Sequence, residues 1–374
     1  MQTARSSTAR RGTRRQALAA VALLGGTLAL AACGSSDSGS GGSGGGGGDK
    51  VGVSLILKTL TNPYFVSMKN DAQKAADSQN VDLTVAAGKQ DGDTQSQISA
   101  IDNAISRGDK GILITTNGDA VNSELQKARK AGLYVIALDT VPTPPSTVDI
   151  TYATDNEQAG KLIGEYAATK LNGQKAVIAM LDLFNNQVVS VDIQRDHGFL
   201  EGMGIDPGSK TQNGQEAKTG KYTAGSGGDY QVVCHQPTQG AIPGGKTAME
   251  NCLSSNGDIN VVYTINEPAA DGANQALKAA GKSNVLILTI DGSCKYVKGL
   301  LKDGTIAADS AQYPGKMASA GVTTIAQIAK GGAKPSLPAG KDFIDSGTNL
   351  VTANALTGVT SQTPDDAAKA CWGS

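Results

Sequence analysis

From Asp49 onward a short apolar run followed by a helical stretch recurs along the chain, and this alternation constrains the fold more than any other feature. Val51 to Leu57, Leu83 to Ala86, Ile112 to Thr115 and Tyr134 to Leu138 read as buried strands, with helical stretches starting near Pro63, Thr94 and Ala120, the last ending at Gly132. Strands joined this way require right-handed crossovers and a parallel sheet covered on both faces. After the punctuation Pro142-Thr143-Pro144-Pro145 and the extended Ile150 to Ala153, the pattern restarts beyond Thr154. Strand-like runs at Ala176 to Leu181, Val232 to Cys234, Val261 to Ile265, Val285 to Ile290 and Ile306 to Ala308 alternate with helical segments beginning near Glu157, Val189, Gly245, Pro268 and Lys295. The Gly/Lys/Thr-rich stretch between Gly202 and Gln231 reads as an exposed loop. Two α/β units in tandem leave a cleft between their strand ends, and such clefts close on small ligands by hinge motion.

The first 49 residues follow a different logic. Five arginines without an acid (Arg5, Arg10, Arg11, Arg14, Arg15) precede the apolar run Ala17 to Ala32, which is short for a membrane span and ends Leu30-Ala31-Ala32-Cys33. That order is an export signal over residues 1–32, and Leu-Ala-Ala-Cys is similar to a bacterial lipobox, implying cleavage before Cys33 and lipid attachment to its thiol. The paired Arg14 and Arg15 also permit twin-arginine export. Gly34 to Gly48 is almost wholly glycine and serine, a flexible tether whose typical span is on the order of 20 Å. The folded part is thus expected close to the outer face of a membrane. The full chain carries a formal charge of −1, and loss of the leader arginines makes it more acidic, which excludes a basic nucleic-acid surface.

Four cysteines remain beyond Cys33, and an even number in an exported chain suggests disulfides in one of three pairings. Cys234 with Cys252 and Cys294 with Cys371 is preferred, the second tying the C-terminal tail to a loop after a strand. Zinc is the alternative, but no close cysteine pair and only two histidines, His197 and His235, argue against it, so no metal or cofactor is expected.

The informative polar residues fall just beyond predicted strands, the edge at which open α/β sheets bind ligands. Asn62 follows the first strand, Thr115, Thr116 and Asn117 the third, Asp139 the fourth, Asn266 the run Tyr263 to Ile265, and Asp291 the run Ile287 to Ile290. Any one of these is explicable as a cap or turn residue, and Asn62-Pro63 reads well as N-cap and first helical residue. Together at one edge they suit a polyol, since carboxylates accept and amides both donate and accept hydrogen bonds from hydroxyls. Tyr64 and Phe65 add a ring face that can stack on a sugar, although apolar residues at helical spacing also serve as core.

The stretches Asn62-Pro63-Tyr64-Phe65, Ala87 to Asp93, Tyr263 to Ala270, Asp291-Gly292-Ser293-Cys294 and Cys371-Trp372-Gly373 resemble the periplasmic binding proteins of ABC sugar importers, in the ribose-binding-like class and closest to its fructose-type members. The resemblance runs from about Val51 to Gly373. It implies an α/β, type I periplasmic binding protein fold of two doubly wound parallel-sheet lobes joined by a three-strand hinge. The chain would cross between lobes near Thr154, Gln312 and Gly340, giving a first lobe of residues 50–153 plus 313–340 and a second of 154–312 plus 341–374, with 33–49 as tether. It further implies that Asn62, Tyr64, Phe65 and Asp139 line one side of a monosaccharide site, with Arg195, Asn266, Asp291 and Gln312 opposite. Asn117, His235 and Gln239 are additional candidates. The implied protein is a lipid-anchored monomer that passes its sugar to the permease subunits and has no catalytic residue. Two departures stand out: Thr140 where the ribose pattern has arginine, and His235, Gln236 and Gln239 where an aromatic is expected. A more polar and roomier pocket follows, suiting a ketohexose.

Three rival readings remain. Gly240 to Thr247 has the P-loop spacing, but Pro243 lacks an N–H where a phosphate cradle needs one, and Asn266 stands where a metal-binding aspartate would. Asp139 and Asp291 could be the acid and base of a glycosidase, although nothing in the sequence raises either pKa. A lipid-anchored sugar sensor for a receptor would share both fold and site.

Overall fold

The computed structural model describes residues 50–373, so the leader, Cys33 and the Gly/Ser tether lie outside the described residues. The first lobe opens with β1 (Val51–Leu57), α1 (Pro63–Gln79), β2 (Val81–Ala87), α2 (Thr94–Arg107), β3 (Gly111–Ile114), α3 (Asn122–Lys130), β4 (Tyr134–Leu138) and β5 (Ile150–Ala153). The second follows with α4 (Asn156–Leu171), β6 (Ala176–Asp182), α5 (Ser190–Met203), β7 (Thr219–Tyr222), β8 (Gly228–Pro237), α6 (Ile242–Ser255), β9 (Val261–Thr264), α7 (Glu267–Ala279), β10 (Leu286–Asp291), α8 (Cys294–Val297) and β11 (Ala308–Ala311). The chain returns to the first lobe as α9 (Pro314–Ala329) and β12 (Ile344–Asp345), then ends in the second with β13 (Asn349–Val351) and α10 (Pro364–Ala367).

The first sheet has six strands in the order β12-β5-β4-β3-β1-β2, all parallel; the second has seven, β13-β11-β10-β9-β6-β8-β7, parallel except at its two edges. Strands β1, β3 and β4 are almost wholly buried because helices cover both their faces. Each lobe has its own cores, one built around Leu55, Leu113 and Ile136, another around Ile178, Tyr263 and Leu288.

Local chemistry sets the helix starts that matter for the cleft. The Asn62 carboxamide oxygen accepts from the Tyr64 N–H, and Pro63 fills a position that has no hydrogen bond to lose. Asn266 accepts likewise from the Ala269 N–H at α7. In α4 and α5, Gly160, Gly164, Gly198 and Gly202 lie against one another's backbones: a Cβ on Gly164 would collide with the Phe199 carbonyl, and one on Gly198 with that of Glu157. The two helices therefore pack at a separation only glycine permits, and this fixes the height of α5 and of Arg195 upon it.

Three expectations need correction. The third crossing lies between β12 and β13, around residues 346–348, because Ile344 and Asp345 pair with Tyr152 and Ala153 of the first sheet. The Gly202 to Gln231 stretch is not simply exposed, since β7 pairs with β8 and Glu216 is buried. The strand expected at Ile306 to Ala308 is instead Ala308–Ala311; its Asp309 and Ser310 are buried polar residues that break the apolar pattern. The two preferred disulfides, Cys234–Cys252 and Cys294–Cys371, are both formed.

Substituting Gly198→Ala should lower unfolding free energy by about 1–3 kcal/mol through overpacking, read as a lower urea midpoint at unchanged m-value. An unchanged midpoint would show that α4 and α5 can part freely.

Candidate functional site

At the strand edge between the lobes, one cavity gathers polar side chains from both sides. Lys58 directly follows β1, Asn62 caps α1, Tyr64 and Phe65 occupy its first turn, Asp91 follows β2 and Asp139 follows β4. Facing them are Arg195 from α5, Asn266 at the start of α7, Asp291 at the end of β10 and Gln312 after β11, with Leu183, Val191 and Ile265 supplying apolar wall. The room left in the cavity for water-sized bodies is only ≈ 30 Å³, enough for about one or two waters. The lobes are closed on each other.

Three carboxylates and two cations share this buried space. Lys58 Nζ stands 3.8 Å from Asp139 Oδ2 and Arg195 Nη1 3.8 Å from Asp291 Oδ1, ion-pair separations too long for hydrogen bonds. Arg195 is instead held by donating from Nε to Asn156 Oδ1 (2.8 Å) and from Nη1 to the Ile265 carbonyl (2.8 Å), which leaves guanidinium donors free. A polar chain runs between the lobes: the Tyr64 hydroxyl reaches Asp139 Oδ1 (3.0 Å) and Gln312 Oε1 (3.2 Å), and Gln312 Nε2 donates to Asp291 Oδ1 (2.8 Å). Burial, and then Asp139, push the Tyr64 phenol well up, so it remains a neutral donor. Burial raises Asp91 to about 6, against the pull of Lys58, and its Oδ1 is buried without a partner. Burial likewise raises Asp291 to about 7 despite Arg195.

Further residues hold this set in place. Asp139 sits at φ +66°, a left-handed conformation uncommon outside glycine, fixed by donation from its own N–H to the Tyr152 carbonyl and from Thr140 Oγ1 to its carboxylate. Thr140, which departs from the ribose pattern, thus orients Asp139. The turn after Asp291 is held by Asp309, which accepts from the N–H groups of Asp291 and Gly292, and by Glu267, which accepts from the N–H of Ser293. Trp372 donates from its indole to the Asp291 carbonyl (3.0 Å) and meets the Tyr64 ring edge-on with centroids 5.3 Å apart. The Cys294–Cys371 disulfide keeps it there.

All eight principal candidates, Asn62, Tyr64, Phe65, Asp139, Arg195, Asn266, Asp291 and Gln312, line this one cavity. The additional three do not. Asn117 lies behind it, accepting from the Gly92 N–H and so fixing the loop that carries Asp91. His235 is drawn away into a cluster with Asp182 and Glu216, and Gln239 is exposed at a turn. Lys58 and Asp91 were missed, although each stands just past a strand end and Asp91 belongs to a stretch that carried the resemblance. The P-loop reading fails on packing: Gly244 and Gly245 admit the Thr238 and Ala269 backbones, seating α6 on its neighbours, while Lys246 points to Glu250 on the surface.

Two α/β lobes closed on a shared polar cavity define the architecture of a solute-binding protein. The chain belongs to the periplasmic binding protein domain family, whose model matches residues 53–333. It is 30% identical over 280 residues to the ribose import binding protein of Escherichia coli (strain K12), covering 75% of this chain and 85% of that one. It is 25% identical to the D-allose-binding periplasmic protein of the same strain, covering 80% of this chain and 91% of that one. Among solved structures, a galactofuranose binding protein matches with a TM-score of 0.69 at 22% identity, covering 85% of this chain and 96% of that one. A solute-binding protein from Actinobacillus succinogenes with bound D-allose matches at 0.65 and 23%, covering 81% and 98%. Both likenesses are of fold.

The raised Asp91 acid gives a pH signature. A carboxyl whose folded pKa lies above its unfolded value is protonated in both states at low pH, and folding loses stability as pH rises from about 4 through 6. Asp91→Asn should therefore stabilise the ligand-free protein by about 1–2 kcal/mol at pH 7.5 and by much less at pH 4.5. Thermal unfolding of the two proteins at both pH values measures this, and an equal effect at both would refute the assignment.

Proposed function

We propose that this chain is an extracytoplasmic binding protein that captures a monosaccharide between its lobes and delivers it to the transmembrane subunits of an ABC permease. The observation that carries the reading is the single buried cavity in which Asp91, Asp139 and Asn62 of one lobe face Arg195, Asn266 and Asp291 of the other beside the Tyr64 and Phe65 rings. Carboxylates accept from sugar hydroxyls, Arg195 and Lys58 donate to them, and Phe65 packs on the ring's apolar face. Tyr64 and Gln312 connect the two groups, so a sugar that replaces their mutual contacts draws the lobes together. The present room of about one or two waters is too small for a hexose. Entry therefore requires the lobes to part about the hinge.

The family is extracytoplasmic, its members bind solutes, and its relatives named for ribose and allose support a pentose or hexose as cargo. A fructose-type ketohexose remains our proposal from the terminal Cys-Trp-Gly and Asn266 motifs, and lipid anchoring at Cys33 our proposal from the leader. No helix among the described residues is long and apolar enough to cross a membrane. A glycosidase role for Asp139 and Asp291 gains little from the raised Asp291, because burial and the neighbouring Asp309 account for it.

Thermal unfolding against fructose, ribose, allose, mannose, glucose, galactose and inositol should show a raised midpoint with at least one sugar. Arg195→Ala should weaken that sugar's binding by about 1.5–3 kcal/mol, the cost of a lost charged hydrogen bond. Silence across the panel, or an unweakened variant, would overturn the site.

A further inference from the structure

One residue along α5 from Arg195, a second polar cluster lies outside the sugar cavity. Asp182 ends β6, Asp196 projects from α5 and His235 stands in β8, and one ligand atom from each lies within 4.8 Å of the others. His235 Nδ1 is 2.8 Å from Asp182 Oδ2 and 3.7 Å from Asp196 Oδ2, while Nε2 is 3.1 Å from Glu216 Oε1. Asp196 is wholly buried with its carboxyl against that of Asp182, and its oxygens have no other hydrogen-bond partner; Asp182 Oδ1 and Glu216 Oε2 are likewise buried. The cation that faces them among the described residues is His235 itself, whose imidazole is raised to about 10, against its burial, by the hydrogen bonds to Asp182 and Glu216; one imidazolium then stands against three acids, since Arg195 is engaged by Asn156 and Ile265 and Lys218 reaches only Glu216, at 3.7 Å. Unpaired carboxylates in an apolar interior cost several kcal/mol each, roughly, and are paired or metal-bound where they persist.

We infer that Asp182, Asp196 and His235 form a divalent transition-metal site of the zinc or manganese class. Ligands about 2.0–2.2 Å from a tetrahedral ion stand roughly 3.2–3.6 Å apart; the 3.7 Å from Nδ1 to Asp196 Oδ2 is close to that spacing, while the 2.8 Å contact of Nδ1 with Asp182 Oδ2 is a hydrogen bond that an entering ion replaces by displacing its proton. Glu216 on Nε2 supplies the outer carboxylate that fixes a ligating imidazole's tautomer and orientation. One nitrogen with a few carboxylate oxygens suits these ions, whereas calcium takes six to eight oxygens. The neighbouring Asp192 is spent on the N–H groups of Leu183 and Phe184 and stays outside the set. An ion here ties β6, β8 and α5 together behind Arg195. His235 thus serves this cluster and not the sugar cavity.

The test takes the purified whole chain, strips it with a chelator and follows thermal unfolding with Zn²⁺, Mn²⁺ and Ca²⁺ separately. Zn²⁺ or Mn²⁺ at a hundredfold excess over its Kd should raise the midpoint by about 3–8 °C. Asp196→Asn and His235→Gln, if they still unfold cooperatively, should lose that shift. Crystals soaked in the active ion should show an anomalous peak within about 2.3 Å of His235 Nδ1, which decides the matter even if the variants fail to fold. No shift with either ion, a shift with Ca²⁺ alone, an undiminished shift in both variants, or a peak elsewhere would overturn the site and leave Asp196 as a carboxyl that holds a proton.

Discussion

Burying the Arg195 guanidinium, only 3% exposed, is the constraint on which the cleft depends. A cation removed from water must be held by partners, and here two hydrogen-bond acceptors and one carboxylate from separate segments hold it, on a helix whose position is set by packing. Asn156 stands just past the first crossing, the Ile265 carbonyl precedes α7, Asp291 ends β10, and α5 itself is held by the glycine contacts with α4. Displacing any of these strands a charge in a low-dielectric site. The second lobe's cleft wall is therefore rigid because its charge is expensive to misplace, while its spare N–H groups stay aimed at the space between the lobes.

The opposite wall solves a similar problem through the hinge. Lys58 and Asp139 share one buried site, and the Tyr64 hydroxyl carries the polar chain to Gln312 and Asp291. Trp372, at the far end of the sequence, backs both Tyr64 and the Asp291 carbonyl and is retained by a disulfide to the residue after Ser293. Behind Asp291, Glu267 and Asp309 lie together with both acids raised by burial, and between them accept three successive backbone N–H groups. The cost of these buried acids is offset by a turn that presents Asp291 in one orientation.

Much of this was legible in the residue order. Buried parallel strands carry continuous apolar runs, so Tyr134–Leu138 and Ile150–Ala153 were bounded correctly from pattern alone, and polar residues just past those runs had to lie on one edge. Pattern failed where a strand is polar. Ala308–Ala311 carries Asp309 and Ser310 inward because one holds a turn and the other donates to the Ala159 carbonyl, partners set by a distant part of the chain. It failed too at Ile344–Asp345, a strand too short for periodicity, whose allegiance to the first sheet is decided by Tyr152 and Ala153. His235 was misplaced because a histidine after a strand looks the same from sequence whether it turns to the cleft or to buried acids.

The sequence by itself determined the two parallel sheets, the cleft between their strand ends and the residue types along its rim, since burial periodicity and helix caps are local properties. Only the tertiary structure decided which of those residues share a cavity and which are withdrawn to support it. That choice rests on how buried polar and charged groups find hydrogen-bond partners in an apolar interior, and those partners, Asn156 for Arg195 or Glu216 for His235, come from segments with no local relation to the side chains they serve.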